Sequence, residues 1–102
     1  MYKPWSLYAV ICSDSSIYIG ITTDVQRRIY EHNNTKKGAK YTRSRRPVSL
    51  VYVESHSDRS SASKAESRYK KLKRSEKIKS FGIRVNEGKI LYNKIHIDTK
   101  GL

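Results

Sequence analysis

The chain has 102 residues, which is the size of one domain with one modest hydrophobic core. Its 22 lysines and arginines outnumber its 9 acidic residues and give a formal net charge of +13, an excess typical of proteins that contact nucleic acid. No segment is long and apolar enough to span a membrane, the N-terminus lacks a signal-peptide pattern, and a single cysteine cannot form an intrachain disulfide. We therefore expect neither a membrane protein nor a disulfide-stabilised secreted domain. We expect a cytoplasmic or other intracellular location, on the nucleoid if the protein is bacterial.

A β-hairpin is predicted near the N-terminus. Residues 7–13 are rich in β-branched and aromatic side chains, and residues 13–16 are a turn cluster of serine and aspartate. Residues 17–21 return as the second strand. Alternation along this strand places three isoleucines on one face and Tyr18 with Gly20 on the other.

A helix follows over residues 23–33, with Thr23 as the predicted N-cap of a capping box. At 100° per residue, Arg28 and His32 lie on the same side as the apolar positions, whereas Arg27 lies nearly opposite. Arg27 is therefore interpreted as a solvated or phosphate-contacting charge. Arg28 is either a functional cation or a side chain whose stem covers apolar surface, and His32 taken alone is a satisfied histidine at the core edge.

A basic loop over residues 34–47 precedes a third strand over residues 48–54. Cations with an aromatic side chain among them suit phosphate contacts together with base or sugar stacking, although a flexible solvated loop has the same composition. The candidate nucleic-acid-binding residues of this loop are Lys36, Lys37, Lys40, Tyr41, Arg43, Arg45 and Arg46.

A second helix is predicted over residues 60–74, and a short one from Ser75 to the C′ residue Gly82. Glu66 lies on the apolar face of the second helix, where a carboxylate is rare unless it is paired or binds a metal. Its alternative is a structural salt bridge, for example with Arg28. The opposite face carries a run of cations that includes Lys70 and Lys71, which either contact phosphate or are simply solvated.

The element order β-β-α-β-α-α, with a weaker β-hairpin at the C-terminus, predicts an α+β fold. We expect a small, mostly antiparallel sheet of three strands flanked by helices. Residues 1–81 are predicted to form the functional domain, and residues 82–102 a C-terminal extension with a hairpin packed on it.

Together these residues resemble the GIY-YIG nuclease family. "SLY" at 6–8 stands where the family has its first tripeptide, and "YIG" at 18–20 is intact. Arg28, His32 and Glu66 follow at the family's spacing. The blocks "YIGITTDVQRRIYEHN", "GAKYTRSRRPVSLVYVE" and "AESRYKKLKRSEK" are most similar to the small stand-alone members, and the likeness covers roughly residues 5–80.

The resemblance implies a phosphodiesterase that uses one divalent metal ion, Mg²⁺ or Mn²⁺, held by Glu66. It implies that Tyr8 is the general base for the attacking water and that Arg28 stabilises charge on the phosphate. Tyr18 and His32 would position water and phosphate by hydrogen bonds. Phosphoryl displacement needs this kind of positioning and charge stabilisation more than elaborate acid–base groups.

Three further expectations come with the resemblance. As a base near neutral pH, Tyr8 needs its pKa lowered, which Arg28 and the metal could do. Some family members carry a lysine where this chain has Ile21, so activity is expected to be slow unless Lys40 or Arg43 substitutes. Asn93 would correspond to a family asparagine in a "YN" pair.

The leading hypothesis is a metal-dependent endonuclease that cuts branched, flapped or single-stranded DNA in repair or recombination. The first alternative is a non-catalytic DNA- or RNA-binding module with the same fold. The second is a structural or assembly protein whose basic surface binds acidic partners. The expected partner is DNA, with RNA as the second candidate; we expect no membrane contact, no obligate protein partner, and a monomer or weak dimer.

Overall fold

The computed structural model describes residues 4–86, 89–91 and 96–98. The elements within these residues are β1 Trp5–Ile11, β2 Ile17–Thr22, α1 Val25–Asn34, α2 Lys40–Arg43, β3 Ser49–His56, α3 Arg59–Lys70, α4 Arg74–Ser80, β4 Arg84–Asn86, β5 Lys89–Leu91 and β6 His96–Asp98. The main sheet has the strand order β2-β1-β3-β6. β1 pairs antiparallel with both β2 and β3, which confirms the predicted α+β class and its three-stranded antiparallel sheet.

Alternation along the central strand β1 divides the interior into two layers. Leu7 and Ala9 point into a core completed by α3 and α4, which includes Ala65 and Phe81. Tyr8 points to the other face and packs in a smaller cluster that Ile29 of α1 contacts. The sheet therefore lies between α1 on one side and the α3–α4 pair on the other.

The N-terminus of α1 differs from the prediction by one residue. Asp24 is the N-cap, and its carboxylate accepts a hydrogen bond of 3.0 Å from the backbone N–H of Arg27. The predicted cap, Thr23, lies outside the helix. Asp24 is the better cap because its short carboxylate reaches an N–H of the first turn that has no partner within the helix. Its negative charge also lies at the positive end of the helix dipole.

The predicted basic loop contains an additional short helix, α2. Thr42 within α2 is fully buried and donates a hydrogen bond of 3.0 Å from its hydroxyl to the backbone carbonyl of Ala39. The N-cap Ala39 makes no side-chain capping bond. Because no local capping signal marks this helix, its stability comes from tertiary contacts of its buried side.

The second predicted helix is shorter than expected, because α3 ends at Lys70 and α4 begins at Arg74. The end of α4 matches the prediction. Gly82 follows it with φ +66°, and the N–H groups of Gly82 and Ile83 donate to the carbonyls of Lys79 and Ile78 at 3.2 and 2.9 Å. These two bonds are the Schellman motif that a glycine at C′ permits.

A hydrogen-bond network joins β3 to α3. One carboxylate oxygen of Glu54 accepts from the hydroxyls of Tyr52 and Tyr69, each at 2.8 Å. The other lies 2.6 Å from Nε2 of His56, whose Nδ1 is 2.6 Å from the hydroxyl oxygen of Ser61. Tyr69 and Ser61 belong to α3, so the network fixes that helix on the sheet through five polar side chains.

Beyond α4 the backbone adds two features. β4 and β5 pair antiparallel in a separate two-stranded sheet within the predicted C-terminal hairpin, and β6 adds a short strand parallel to β3. Asn93 lies outside the described residues, and the division at residues 81 and 82 stays a prediction. Across the described ranges, no helix has both the length and the apolar character needed to cross a membrane.

Candidate active site

Tyr8 and Gly20 are direct partners on β1 and β2. A Cβ atom at position 20 would lie 2.5 Å from the Tyr8 hydroxyl oxygen and 2.7 Å from the adjacent ring carbon. The missing side chain of Gly20 therefore leaves the space that the Tyr8 hydroxyl occupies, and Tyr8 itself is 1% exposed. This close approach explains why a glycine follows Tyr18 and Ile19 on β2.

A buried chain of hydrogen bonds begins at the Tyr8 hydroxyl. Its oxygen is 2.6 Å from Nε2 of His32, and Nδ1 of His32 is 2.7 Å from the hydroxyl oxygen of Thr42. Thr42 gives its only hydroxyl proton to Ala39, so it must accept from His32 and Nδ1 must carry a proton. In neutral His32, Nε2 is then the acceptor and the Tyr8 hydroxyl is the donor.

The electrostatics of this pair support that assignment. Burial lowers the pKa of His32 from 6.5 to about 4, helped by the positive charge of Arg28, so the ring is neutral at physiological pH. Burial also raises the pKa of Tyr8 above its ordinary value of 10.0, with the nearby Tyr18 adding to the effect. The lowering expected from Arg28 and a metal ion together stays a prediction: in the protein without the ion, Arg28 acts to lower the pKa of Tyr8, but desolvation is larger.

The structure separates the two arginines of α1 as the helix geometry predicts. The side chain of Arg28 is 23% exposed, and one of its terminal nitrogens donates to Glu31 at 3.1 Å and to the carbonyl of Lys37 at 2.7 Å. Its guanidinium also interacts with the Tyr8 hydroxyl. The Arg27 side chain is 54% exposed and has only a longer contact of 3.9 Å with Glu31. Arg28 is thus the arginine aimed at Tyr8.

Tyr18 completes an aromatic group around the hydroxyl. Its ring centroid lies 6.4 Å from that of Tyr8 and 5.3 Å from that of His32, and it stacks on Tyr41 at 6.0 Å with an interplanar angle of 25°. Tyr18, Tyr41, Lys70 and Lys77 line a cleft of about 360 Å³. The basic loop and the helix pair therefore meet beside the buried tyrosine.

Glu66 lies on α3, and its charge makes a small contribution to the raised pKa of the Tyr8 hydroxyl. The ion pair that Glu66 forms is with Lys70, one helical turn away, at 3.2 Å, and the Glu66 side chain is 22% exposed. The Arg28 salt bridge considered from the sequence is not the one formed, because the (i, i+4) lysine lies on the same helix face.

The surroundings of Glu66 suit a weakly held metal ion rather than an all-protein cage. Within the described part of the chain, no group of three or more histidine, cysteine, aspartate or glutamate side chains could hold a metal. Mg²⁺ is commonly held by one or two carboxylates while it keeps several waters and takes phosphate oxygens as further ligands. The partly exposed Glu66 carboxylate beside the cleft fits that mode.

The predicted nucleic-acid-binding residues divide by their contacts. Arg46 donates to the carbonyls of His32 and Thr35, so its guanidinium caps the C-terminus of α1 and has a structural role, while its assignment to nucleic acid stays a prediction. Arg45 is held by Asp14 at 3.0 Å and lies 3.9 Å from the centroid of the Tyr41 ring. The exposed members of the predicted set are Lys36, Lys37, Lys40, Tyr41, Arg43, Lys70 and Lys71.

The sequence reasoning missed Thr42 and Lys77. Thr42 fixes the proton on His32, and Lys77 lines the Tyr18 cleft from α4. The available signal for Thr42 was its three-residue spacing from Ala39, which is typical of a hydroxyl bonding back to a helix-start carbonyl. Nothing in the sequence places it against His32.

Comparison with known proteins identifies the family. The family model described as the GIY-YIG catalytic domain matches residues 4–79. The chain is 59% identical over 68 residues to a UPF0213 protein of Desulfotalea psychrophila, covering 67% of this chain but only 62% of that protein. It is 51% identical over 71 residues to a UPF0213 protein of Halobacterium salinarum, covering 70% and 91%.

Two solved structures are similar to this fold. The solution NMR structure of a UPF0213 protein from Bacillus halodurans has a TM-score of 0.51 at 39% identity and covers 78% of this chain and 83% of its own. That of a protein from E. faecalis has a TM-score of 0.53 at 39% identity, with 85% and 97% covered. A GIY-YIG domain implies in general an endonuclease that acts on nucleic acid with a divalent metal ion such as Mg²⁺. Because the family model matches residues 4–79 of the 102 and the relatives share about half of the aligned residues, the chain belongs to the GIY-YIG family, among small UPF0213 proteins.

Proposed function

We propose that the protein is an endonuclease that hydrolyses DNA phosphodiester bonds at branched, flapped or single-stranded sites. The observation that carries this proposal is the Tyr8 hydroxyl, which is buried, lies 2.6 Å from an unprotonated histidine nitrogen and is within reach of the Arg28 charge, which acts to lower its pKa. Any buried tyrosine needs a hydrogen-bond partner, but pairing with a neutral histidine beside a guanidinium also gives the hydroxyl a route for its proton.

In the proposed mechanism, Tyr8 passes its proton to Nε2 of His32 along the existing hydrogen bond and takes one from the attacking water. The water oxygen bonds to phosphorus as the P–O bond to the leaving oxygen breaks. Tyr8 then releases the proton taken from water through solvent to the leaving oxygen and recovers its own proton from His32. The raised pKa of Tyr8 means that the proton stays on the hydroxyl until positive charge enters the site. Arg28 stabilises the phenolate and offers donors to the phosphate, where a fork of N–H groups matches the oxygens well. Tyr18 lies against both rings and positions the phosphate or the water through its hydroxyl.

Glu66 would hold the divalent ion. When bound, the ion supplies the positive charge that polarises the phosphate and lowers the pKa of the attacking water. A carboxylate that is partly exposed and paired with Lys70 can exchange that lysine for a cation and its waters.

The cleft beside Tyr18 supports DNA as the substrate. It combines aromatic side chains with Lys70 and Lys77, and Tyr41 is 41% exposed. Aromatic rings bind bases through their faces, which are accessible where a base is unpaired. This chemistry favours frayed, flapped or single-stranded positions over continuous duplex.

The non-catalytic binding module is the second candidate. Its support is the pair of pKa shifts at Tyr8 and His32, which make proton transfer costly in the protein alone, together with Ile21 in place of the family lysine. Both candidates keep the basic surface, so binding alone does not separate them.

The deciding experiment measures nicking of plasmid, flapped, branched and single-stranded DNA with Mg²⁺ or Mn²⁺. Glu66→Gln should abolish nicking and weaken metal binding measured by calorimetry, while DNA binding persists. Glu76→Gln is the matched control, because Gln serves equally at the N3 position of the α4 capping box. Tight, salt-dependent binding without cleavage of any substrate would favour the module instead.

A further inference from the structure

We propose that a second cleft, formed by Trp5, Arg27 and Arg59, binds a backbone phosphate of the DNA strand on the side of the scissile phosphate opposite Tyr41. This inference rests on the proposed function and adds a substrate contact that no sequence motif assigns. We call this site the Trp5–Arg59 cleft.

The Trp5–Arg59 cleft has a volume of about 340 Å³ and lies where β1 begins, β2 ends and α1 and α3 begin. Its walls include Trp5, the end of β2 at Thr22, and side chains from the first turns of both helices. Four elements thus build one concavity from residues far apart in the sequence.

The charge of this cleft favours an anion. Three guanidinium groups line it, those of Arg27, Arg28 and Arg59, against the single carboxylate of Glu31. Glu31 is divided between Arg28 at 3.1 Å and Arg27 at 3.9 Å. Among the described residues, Arg59 forms no ion pair within 4.0 Å, so the cleft keeps an excess of positive charge that a phosphate would neutralise.

Arg59 is held in place without being neutralised. Its guanidinium carbon lies 5.5 Å from the centroid of the Trp5 ring, a cation–π contact that orients the group while leaving its N–H donors for another partner. Guanidinium groups bind phosphate oxygens through paired donors, and an orientation fixed in advance reduces the entropy lost on binding. The ligand chemistry that fits is therefore a phosphodiester.

The position of the cleft tells which phosphate it would take. Tyr18 lines the first cleft and Thr22 lines the second, and four residue steps along β2 span about 13 Å. That distance exceeds the rise per nucleotide of a duplex strand, about 3.4 Å, so the two clefts serve different phosphates. Arg28 lines the second cleft, and its charge also reaches the Tyr8 hydroxyl, so in the proposed mechanism the reacting phosphate would lie on the Tyr8 side of Arg28 and the second phosphate on the Arg59 side.

The chain offers an intrinsic probe for this site, because Trp5 is its one tryptophan. We would titrate the full chain carrying Glu66→Gln, in metal-free buffer, with a single-stranded oligonucleotide of about eight nucleotides. Tryptophan emission is recorded together with the anisotropy of a label on the oligonucleotide. We expect the emission to change in parallel with the anisotropy.

Arg59→Ala in the same background should weaken binding about five- to tenfold and reduce the slope of log K against log salt by about 0.7, the loss of one phosphate contact. Arg84→Ala is the matched control: it removes the same charge from an exposed residue of β4 that lines neither cleft. Circular dichroism melting checks that both variants are folded.

Binding by anisotropy with unchanged tryptophan emission would overturn the inference while the proposed function stands. So would equal weakening by Arg59→Ala and Arg84→Ala, because the cleft would then be only part of a diffuse positive surface. No binding of the oligonucleotide by either signal would overturn the proposed function itself.

Discussion

The hydroxyl of Tyr8 donates a hydrogen bond of 2.6 Å to Nε2 of His32, and both side chains are buried. The direction of this bond is set by a third residue, because Thr42 accepts the proton on the other nitrogen of His32. The proton that Thr42 keeps on Nδ1 of His32 therefore determines whether Tyr8 can pass its own proton to Nε2.

Replacement of Thr42 tests this control. Thr42→Val removes the acceptor of the Nδ1 proton, so His32 should shift its proton to Nε2, where it can no longer accept from Tyr8. We expect the nicking rate to fall by about 10²- to 10⁴-fold, the typical range of general acid–base contributions. The nitrogen chemical shifts of His32 in NMR spectra should report the changed tautomer.

Thr42→Ser keeps the hydroxyl and should restore both the tautomer and most of the nicking rate. If Thr42→Val leaves the nitrogen shifts of His32 unchanged, the assigned direction of the hydrogen-bond chain is wrong.

Gly20→Ala should place a methyl group against the Tyr8 hydroxyl, where 2.5 Å is available. Since buried Tyr8 has nowhere to move, we expect destabilisation of about 1–3 kcal/mol in urea unfolding and loss of nicking. Adding Tyr8→Phe to Gly20→Ala removes the nearest atom and should recover part of the stability without recovering nicking.

Gly82→Ala provides the contrast for this prediction. A Cβ at Gly82 meets nothing within 4 Å, but φ is +66°, so the cost is conformational and about 1 kcal/mol. Nicking should be retained. If Gly20→Ala retained nicking as well as Gly82→Ala does, the function of the Tyr8 hydroxyl would not depend on the space left by the missing side chain of Gly20.

Acid should destabilise the protein through His32. Its pKa is about 4 in the folded protein against 6.5 when unperturbed, so the unfolded chain binds the proton more readily. The stability that neutral His32 contributes is fully present above pH 6.5 and is lost as the pH falls toward 4, by about 3 kcal/mol in total.

Urea unfolding at several pH values between 4 and 7.5 measures this loss. His32→Asn should be less stable at neutral pH but should lack this part of the pH dependence, whereas His56→Gln should keep it. An unchanged pH dependence in His32→Asn would show that His32 is not the titrating group.

Arg46 and Arg43 should separate stability from binding. Arg46 donates to carbonyls at the end of α1, so Arg46→Ala should destabilise the fold by about 1–3 kcal/mol. Arg43 is exposed on α2, so Arg43→Ala should leave the melting temperature unchanged and weaken DNA binding. A stable Arg46→Ala variant with weakened binding would assign Arg46 to the binding surface instead.

Much of the site geometry was predictable from sequence because it follows from periodicity. Alternation put Tyr18 and Gly20 on one face of β2, and helical rotation turned Arg28 inward and Arg27 outward, as the structure has them. The pKa of Tyr8 was not predictable, because burial of a hydroxyl depends on residues that only the folded chain brings together. The same holds for Thr42, whose helix carries no capping signal of its own.

The network centred on Glu54 has a consequence for the relative positions of the candidate catalytic residues Glu66 and Tyr8. Glu54 binds Tyr69 of α3 directly and Ser61 of the same helix through His56. Hydrogen bonds therefore hold both ends of α3 against β3. β3 in turn pairs with β1, the strand of Tyr8. Glu66 lies on α3 between these two anchors, so the scaffold itself sets its separation from Tyr8. The Glu66 carboxylate would therefore be preorganised for a metal ion, so ion binding would not need to bring α3 and the sheet together.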